Sequence, residues 1–307
     1  MSARHILTAL ALGCAGPALA AGTPEWTGIP AQGLQAVDDD VGRNLGTPGY
    51  FDGLEISELR FSENGFAWHL IRFRNAARPH GPLWIVPHDD EDAAFEAMIA
   101  ALKEHGGVAI AVNSGPGSRR LQAGRGACGV RHMVVTACDP NRNFDLRSPL
   151  FTAAFLDQRL EGQPVIALHT NSPGFAGDGR GGSGDTTVLD RSAWRRGIPA
   201  PRRGAVLASN PRPDMANYDT LGLAPFAGSA SRPAPAADRC GAAIARAGIH
   251  FWHEPVRASD GSMSNYLALH RPEIRYFNAE SRTERDPAVA AARHRQIIAA
   301  YLQNCTP

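Results

Sequence analysis

His88-Asp89-Asp90-Glu91 sets an imidazole and a carboxylate three residues apart, just past the apolar run Leu83-Trp84-Ile85-Val86-Pro87 and at the opening of a helix-patterned stretch, Asp89 to His105. At the mouth of a strand, that spacing suits the gripping of one zinc ion. Alone the pattern is cheap, because any of the 11 histidines can have a glutamate three positions later. A second instance, His270-Arg271-Pro272-Glu273, carries an internal proline that argues against a helix start. The first instance is distinguished by its company further along the chain: Asp139-Pro140-Asn141-Arg142-Asn143-Phe144, then Leu168-His169-Thr170, then Phe277-Asn278-Ala279-Glu280. A catalytic zinc takes three protein ligands and keeps a fourth position for water, and His88, Glu91 and His169 make up that count. A lone strand-end histidine is more often a hydrogen-bonded core or surface residue, so the ordered set carries the inference. A rival pair in His250-Phe251-Trp252-His253-Glu254 reads as a strand, where positions i and i+3 face opposite ways. His253 is expected to line a cleft.

The elements that must hold these residues alternate along the chain. Residues 22 to 50 are rich in Gly, Pro and Asp and read as an irregular lead-in. Leu54 to Phe61 and Ala67 to Phe73 then flank Glu63-Asn64-Gly65, which is hairpin turn chemistry. Buried-strand runs are expected at Leu83 to Val86, Val108 to Val112, Met133 to Ala137, Val165 to Leu168, Ala205 to Ala208, Ile249 to Trp252 and Ile274 to Phe277. Helical patterns fall at Asp89 to His105, Pro149 to Leu160, Ala236 to Ala247 and Pro287 to Gln303. This order predicts an α/β fold with a mixed, mostly parallel central sheet flanked by helices. In such sheets ligands collect at the carboxyl ends of strands, where His88, Asn141, His169 and Glu280 all lie. Two Gly-, Arg- and Pro-rich stretches, Asn113 to Arg131 and Ser172 to Arg203, come after strand ends and are expected to wall the cleft.

Composition bounds the rest. The chain has 307 residues, 43% of them hydrophobic and 20% charged, enough for one large core or two small ones, and no composition break forces a second domain. Residues 1–20 read as a secretory signal, with Arg4 and His5 ahead of the apolar stretch Ile6 to Leu19 and a small-residue cleavage site at Ala18-Leu19-Ala20. Residues 21–307 are then expected to form one catalytic domain with a β-hairpin lead-in, periplasmic or secreted. No later apolar run approaches the ~20 residues that cross a bilayer. A formal net charge of +1 gives no basis for a nucleic acid or an anionic membrane as partner. Cys128, Cys138, Cys240 and Cys305 remain after cleavage and can pair in three ways in an oxidising compartment. The preferred pairing is Cys128 with Cys138 and Cys240 with Cys305, the second tying the last helix to an earlier one.

In this order the pieces resemble the carboxypeptidase A type of zinc metallocarboxypeptidases, in a compact bacterial branch. That family carries His-x-x-Glu, an Asp-x-Asn-Arg-Asn-aromatic segment, a later ligand histidine and a catalytic glutamate near the end. The match runs from about Leu83 to Arg282 and includes Ala258-Ser259-Asp260-Gly261-Ser262, similar to an Ala-Ser-Gly-Gly-Ser run that precedes the catalytic glutamate. The resemblance implies one zinc per chain on His88, Glu91 and His169. It implies Glu280 as general base for the attacking water and then proton donor to the leaving amine. Asn141 and Arg142 would hold the substrate's free carboxylate, because a guanidinium offers a planar fork of donors. Asp139 would accept a hydrogen bond from His88 and orient it. For the arginine that polarises the scissile carbonyl, Arg119, Arg120, Arg125 and Arg131 compete, and Arg125 is the choice. The family's mobile tyrosine falls on Val256, which has no donor, so either Tyr266 or His253 substitutes or the role is absent.

These features imply an exported zinc-dependent carboxypeptidase that hydrolyses an amide next to a free carboxylate, with a peptidoglycan stem peptide as the substrate suggested by the compartment. A deacylase of N-acyl amino acids, resembling the aspartoacylase and succinylglutamate desuccinylase branch, is the enzymatic alternative. A non-catalytic carboxylate-binding domain that has lost its metal is the third.

Overall fold

A computed structural model of the chain describes residues 24–113, 128, 139–171, 220–227, 235–247, 249–256 and 259–305. Among them, nine strands join one sheet in the order β1-β2-β3-β5-β4-β6-β9-β7-β8. These are β1 (Thr27–Gly28), β2 (Leu54–Glu63), β3 (Phe66–Asn75), β4 (Leu83–Val86), β5 (Val108–Val112), β6 (Val165–Asn171), β7 (Thr220–Ala227), β8 (His250–Val256) and β9 (Tyr276–Arg282). The helices are α1 (Asp39–Asn44), α2 (Asp92–His105), α3 (Pro149–Leu156), α4 (Pro235–Arg246), α5 (Met263–His270) and α6 (Pro287–Cys305). The centre, β5-β4-β6-β9, is parallel throughout. The hairpin β2–β3 joins it antiparallel through β5, and β7 runs antiparallel against β9. The α/β reading of the sequence holds, with the parallel part confined to the middle.

Both faces of the central strands are buried, and alternation divides their side chains. Trp84, Val86, Ile166, Leu168, Phe277 and Ala279 pack with α2, α4 and α6. Leu83, Ile85, Val165, Ala167 and Tyr276 pack with α3 and α5 on the other side. His169 and Glu280 alternate with Leu168 and Ala279, so they belong to the face that carries α3 and α5.

Local ties fix the layers. Asn64, at φ 53, and Gly65, at φ 77, make the hairpin turn that their residue types favour. Next to that turn, Glu63 accepts hydrogen bonds from the amides of Leu150 and Phe151, at 2.8 and 2.9 Å, capping the start of α3 across 87 residues of sequence. Cys240 and Cys305 form the expected disulfide, joining α4 to the end of α6.

Some elements differ from expectation. The helix expected from Asp89 starts at Asp92, with Glu91 as its N-cap residue. The strand expected at Ile274 to Phe277 is Tyr276–Arg282, displaced toward Glu280. Strand β7 was not anticipated, because Gly222 and Pro225 break its pattern. The expected signal (1–20), the strands at Met133 to Ala137 and Ala205 to Ala208, Arg125 and Cys138 lie outside the described residues. Among the described residues, no helix is long and apolar enough to cross a membrane.

Candidate metal centre and carboxylate clamp

Three neighbouring parallel strands bring the predicted residues together. Ile85 of β4 pairs with Ala167 of β6, and His169 of β6 pairs with Glu280 of β9. His88, two residues past β4, therefore reaches the same carboxyl-end corner as His169 and Glu280. Glu91 enters from the cap of α2 and is 3% exposed.

His88, Glu91 and His169 place one ligand atom each within 4.8 Å of one another. The two Nδ1 atoms are 3.2 Å apart, and the rings meet edge-on at a centroid distance of 4.8 Å. Glu91 Oε1 lies 2.9 Å from His88 Nδ1, and its Oε2 lies 3.6 Å from His169 Nδ1. Ligands held at about 2.0–2.1 Å around a tetrahedral ion stand about 3.3 Å apart, so this triad has the separations that a shared cation requires. Two imidazole nitrogens facing each other at that distance need a proton or a cation between them. The donor set of two imidazoles and a carboxylate fits a divalent metal ion.

The surroundings hold each ligand in place. Glu91 Oε2 accepts a hydrogen bond from the Thr170 amide at 2.9 Å. His88 Nε2 meets Asp139 Oδ1 at 3.0 Å, the orienting contact anticipated for Asp139. Burial, the largest influence on His88, pulls its pKa down, yet the carboxylates of Glu91 and Asp139 outweigh it and push the ring up to about 10. Burial likewise raises Asp139, but His88 and Arg142 outweigh it and bring the carboxyl down to about 2. Burial and the His88 charge hold His169 well below the usual histidine range. Sequence reasoning missed His294, fully buried on α6, whose Nε2 donates to the His169 carbonyl at 2.8 Å. Burial pushes His294 down to about 4, and its Nδ1 lies 3.1 Å from both the Ser281 hydroxyl and the Ala290 carbonyl. Its signal was present: a histidine in the apolar stripe Ala290, Ala291, Ile297, Ile298 and Tyr301 of a helix.

Glu280 is 5% exposed, and its Oε1 accepts from Asn278 Nδ2 at 2.8 Å. The two residues sit two apart on a strand and share a face, which the sequence offered without its being read. Burial first, then the negative charge of Glu91, pushes the Glu280 carboxyl up to about 8.

The Asn141–Arg142 segment is a 3-10 turn, Pro140–Arg142, started by Asp139, whose Oδ1 accepts from the Asn141 amide at 2.8 Å. Asn143 is structural: its Nδ2 donates to the carbonyls of Asp139 and Pro140, and its Oδ1 accepts from the Cys128 amide. Arg142 Nη1 lies 3.1 Å from Asp260 Oδ2, and its Nε lies 3.6 Å from Asp139 Oδ2. Asp139 thus touches a candidate metal ligand with one oxygen and the candidate clamp with the other. The loop before α5 locks onto this turn. Asn141 Oδ1 accepts from the Met263 amide, and the Phe144 amide donates to the Gly261 carbonyl. Gly261, at φ 87, sits so close that a Cβ there would lie 2.2 Å from the Arg142 carbonyl oxygen. Of the tyrosine substitutes, Tyr266 lies on α5 with its ring against His270, and Val256 is buried. The side chains of His250 and His253 lie outside the described set.

No protein-family pattern matches this chain, and no curated protein matches it. Solved structures similar to it include a candidate carboxypeptidase A from Shewanella denitrificans OS-217, with 13% identity and a TM-score of 0.43 over 86% of this chain. This chain spans 65% of that protein's length. A metallo-carboxypeptidase from Burkholderia cenocepacia shows 14% identity and a TM-score of 0.44, over 87% of this chain and 67% of that one. A candidate metallopeptidase, also from Shewanella denitrificans, shows 12% identity and a TM-score of 0.39, over 88% of this chain and 89% of that one. Identities this low and TM-scores below 0.5 leave the geometry of the site as the basis for its chemistry.

Proposed function

We propose that this chain is an exported zinc-dependent carboxypeptidase, which hydrolyses the amide next to a free carboxylate. The observation that carries the reading is the double contact of Asp139, 3.0 Å from His88 and 3.6 Å from Arg142. One carboxylate's width separates a metal-binding triad from a guanidinium. A substrate whose terminal carboxylate rests on Arg142 therefore brings its last amide to the triad, and amides further along the chain do not reach it.

His88, Glu91 and His169 would hold zinc, which when bound supplies a Lewis acid for the scissile carbonyl and makes water easier to deprotonate. Glu280 would take the proton from water at a carboxylate oxygen and return it to the leaving amine, zinc nearby favouring the ionised carboxyl that burial and Glu91 disfavour in the metal-free protein. Asn278 holds the other oxygen of that carboxyl. Arg142 and Asn141 fix the substrate by its terminal carboxylate, and the tie between Asn141 and Met263 keeps the turn rigid. Arg125 keeps the role of polarising the carbonyl as a proposal from sequence. Peptidoglycan stem peptides fit an exported enzyme of this chemistry and head the substrates to test.

The test compares full-length wild type with Glu280→Gln for metal content and for hydrolysis of peptides, free or amidated at the carboxyl terminus, of muropeptides and of N-acyl amino acids. The reading expects one zinc per chain in both proteins, cleavage of free-carboxylate peptides by wild type alone, and no cleavage of amidated ones. Turnover of N-acyl amino acids alone would move the assignment to a deacylase. A folded wild-type protein that takes up no stoichiometric metal would leave only the carboxylate-binding domain.

A further inference from the structure

Strand β6 outruns its neighbour β4. Their last register pair is Ile85 with Ala167, so His169 lies two residues beyond it, and among the described residues β9 is the only strand beside it. On the open flank, Glu91 Oε2 holds the Thr170 amide. On the face of the sheet away from the metal site, His294 of α6 holds the strand end by the His169 carbonyl.

His294 is 0% exposed and shares its helix face with Ala290, Ala291, Ile297 and Ile298. An imidazole in such surroundings loses its water, a cost that hydrogen bonds must offset. Its contacts converge on one spot. Nε2 lies 2.8 Å from the His169 carbonyl oxygen, and Nδ1 lies 3.1 Å from the Ser281 hydroxyl and 3.1 Å from the Ala290 carbonyl of its own helix. A carbonyl can only accept, so Nε2 carries a proton. His169 pairs in register with Glu280, and Ser281 follows Glu280 on β9. One ring thus touches both strands beside the pair whose side chains face the site.

Resting on the carboxypeptidase reading, we propose that His294 is a positioning residue, which from the far face of the sheet fixes the metal ligand His169 relative to Glu280. It acts through the His169 carbonyl, with Ser281 as the second point of contact, and touches neither metal nor substrate. Without that hold the peptide after His169 is free to turn, and the imidazole swings with the Cα it shares. Arg142 and Asn141 stand on a separate turn, tied to Met263 and Gly261, so the grip on a substrate carboxylate is left intact.

Two substitutions separate the contacts. Glutamine carries an amide nitrogen as many bonds from the backbone as Nε2 and keeps the donation to His169, whereas asparagine ends at the depth of Nδ1 and falls short of that carbonyl. Cys240→Ser with Cys305→Ser, which loosens the end of α6, controls for stability. Each full-length protein is loaded with cobalt(II), whose visible absorption follows ligand geometry where zinc is silent, and metal affinity is read by competition with a chromophoric chelator. Wild type, His294→Gln and the serine control are expected to share one spectrum and one affinity. His294→Asn is expected to change the spectrum and to bind metal about tenfold more weakly. With zinc, His294→Asn is expected to lose about tenfold or more in kcat on a free-carboxylate peptide, with KM within about twofold. A common spectrum and affinity for wild type and both His294 variants overturns the role of His294. So does a spectral change in His294→Gln or in the serine control equal to that in His294→Asn. If His294→Asn does not fold, a changed spectrum in His294→Gln still overturns it. No hydrolysis by the zinc-loaded wild type overturns the carboxypeptidase reading, and the cobalt spectra and affinities then decide His294 by themselves.

Discussion

Replacing Glu280 by glutamine is expected to stabilise the metal-free protein while abolishing turnover. Burial, helped by the negative charge of Glu91, pushes this carboxyl from 4.5 up to about 8. The folded chain consequently keeps a proton that the unfolded chain gives up above pH 4.5. The stability tied to that proton is fully present below pH 4.5 and is lost as pH rises through 8. At about 1.4 kcal/mol per pKa unit, the full loss is about 5 kcal/mol, of which about 3 kcal/mol has gone by pH 7. Glutamine carries no charge at any pH, and its carbonyl can still accept from Asn278 Nδ2, 2.8 Å from Glu280 in the wild type. In the presence of a chelator, urea unfolding of the two proteins is expected to agree within about 1 kcal/mol at pH 5. The variant should then lead by about 3 kcal/mol at pH 7 and by more at pH 9. Restoring zinc narrows the gap, because a nearby cation favours the ionised carboxyl. Turnover falls by about 10²- to 10⁴-fold, the usual worth of a general base. Parallel stability curves from pH 5 to pH 9 would refute the placement of a buried carboxyl beside Glu91.

The same geometry carries three further outcomes. Asp139→Asn leaves His88 with a weaker partner and is expected to lower metal affinity by about 10- to 100-fold, read by competition with a chromophoric chelator, and to raise KM for free-carboxylate peptides through Arg142. Gly261→Ala forces a Cβ to within 2.2 Å of the Arg142 carbonyl oxygen at φ 87, and a destabilisation of about 3 kcal/mol in thermal or urea unfolding is expected. Breaking Cys240–Cys305, whose partners are 65 residues apart, by the paired Cys→Ser change should cost about 4 kcal/mol in urea unfolding, and equal midpoints for the oxidised and variant proteins would show that the cross-link does not restrain the unfolded chain.

The elements around the site were legible where one physical signal dominated. Leu83 to Val86 and Val108 to Val112 are short apolar runs, and both are strands with the expected bounds because burial on two faces leaves no room for a polar side chain. The Cys240–Cys305 pair was a preference among three possible pairings, chosen because it would tie the last helix to an earlier one, and the disulfide forms there. Strand β7 was hidden for a local reason with a tertiary remedy. Pro225 removes an amide donor, but β7 pairs with β9 only as far as Leu223, so the proline falls where the strand has a single neighbour. Gly222 looks like a turn residue in sequence, yet a Cβ there would lie 2.7 Å from the Phe277 ring, so the sheet needs it bare. Such facts depend on strand order, which no window of sequence contains.

The candidate site divides along the same line. The resemblance carried by residue types and their order pointed to His88, Glu91, His169 and Glu280, but the adjacency of His169 and Glu280 exists only because β9 lies beside β6 in register. The clamp is the reverse case. Asp139 and Arg142 are three residues apart in one turn, so their contact is local, whereas the partner that completes the electrostatics, Asp260, arrives from a loop more than a hundred residues later. A motif read along the chain therefore names Arg142 and misses the acid packed against it from another loop. In this protein that acid occupies a position where the resembled run has glycine, so the resemblance points away from it. Differences of charge at positions packed against a shared motif are where specificity can change without disturbing the groups that do the chemistry.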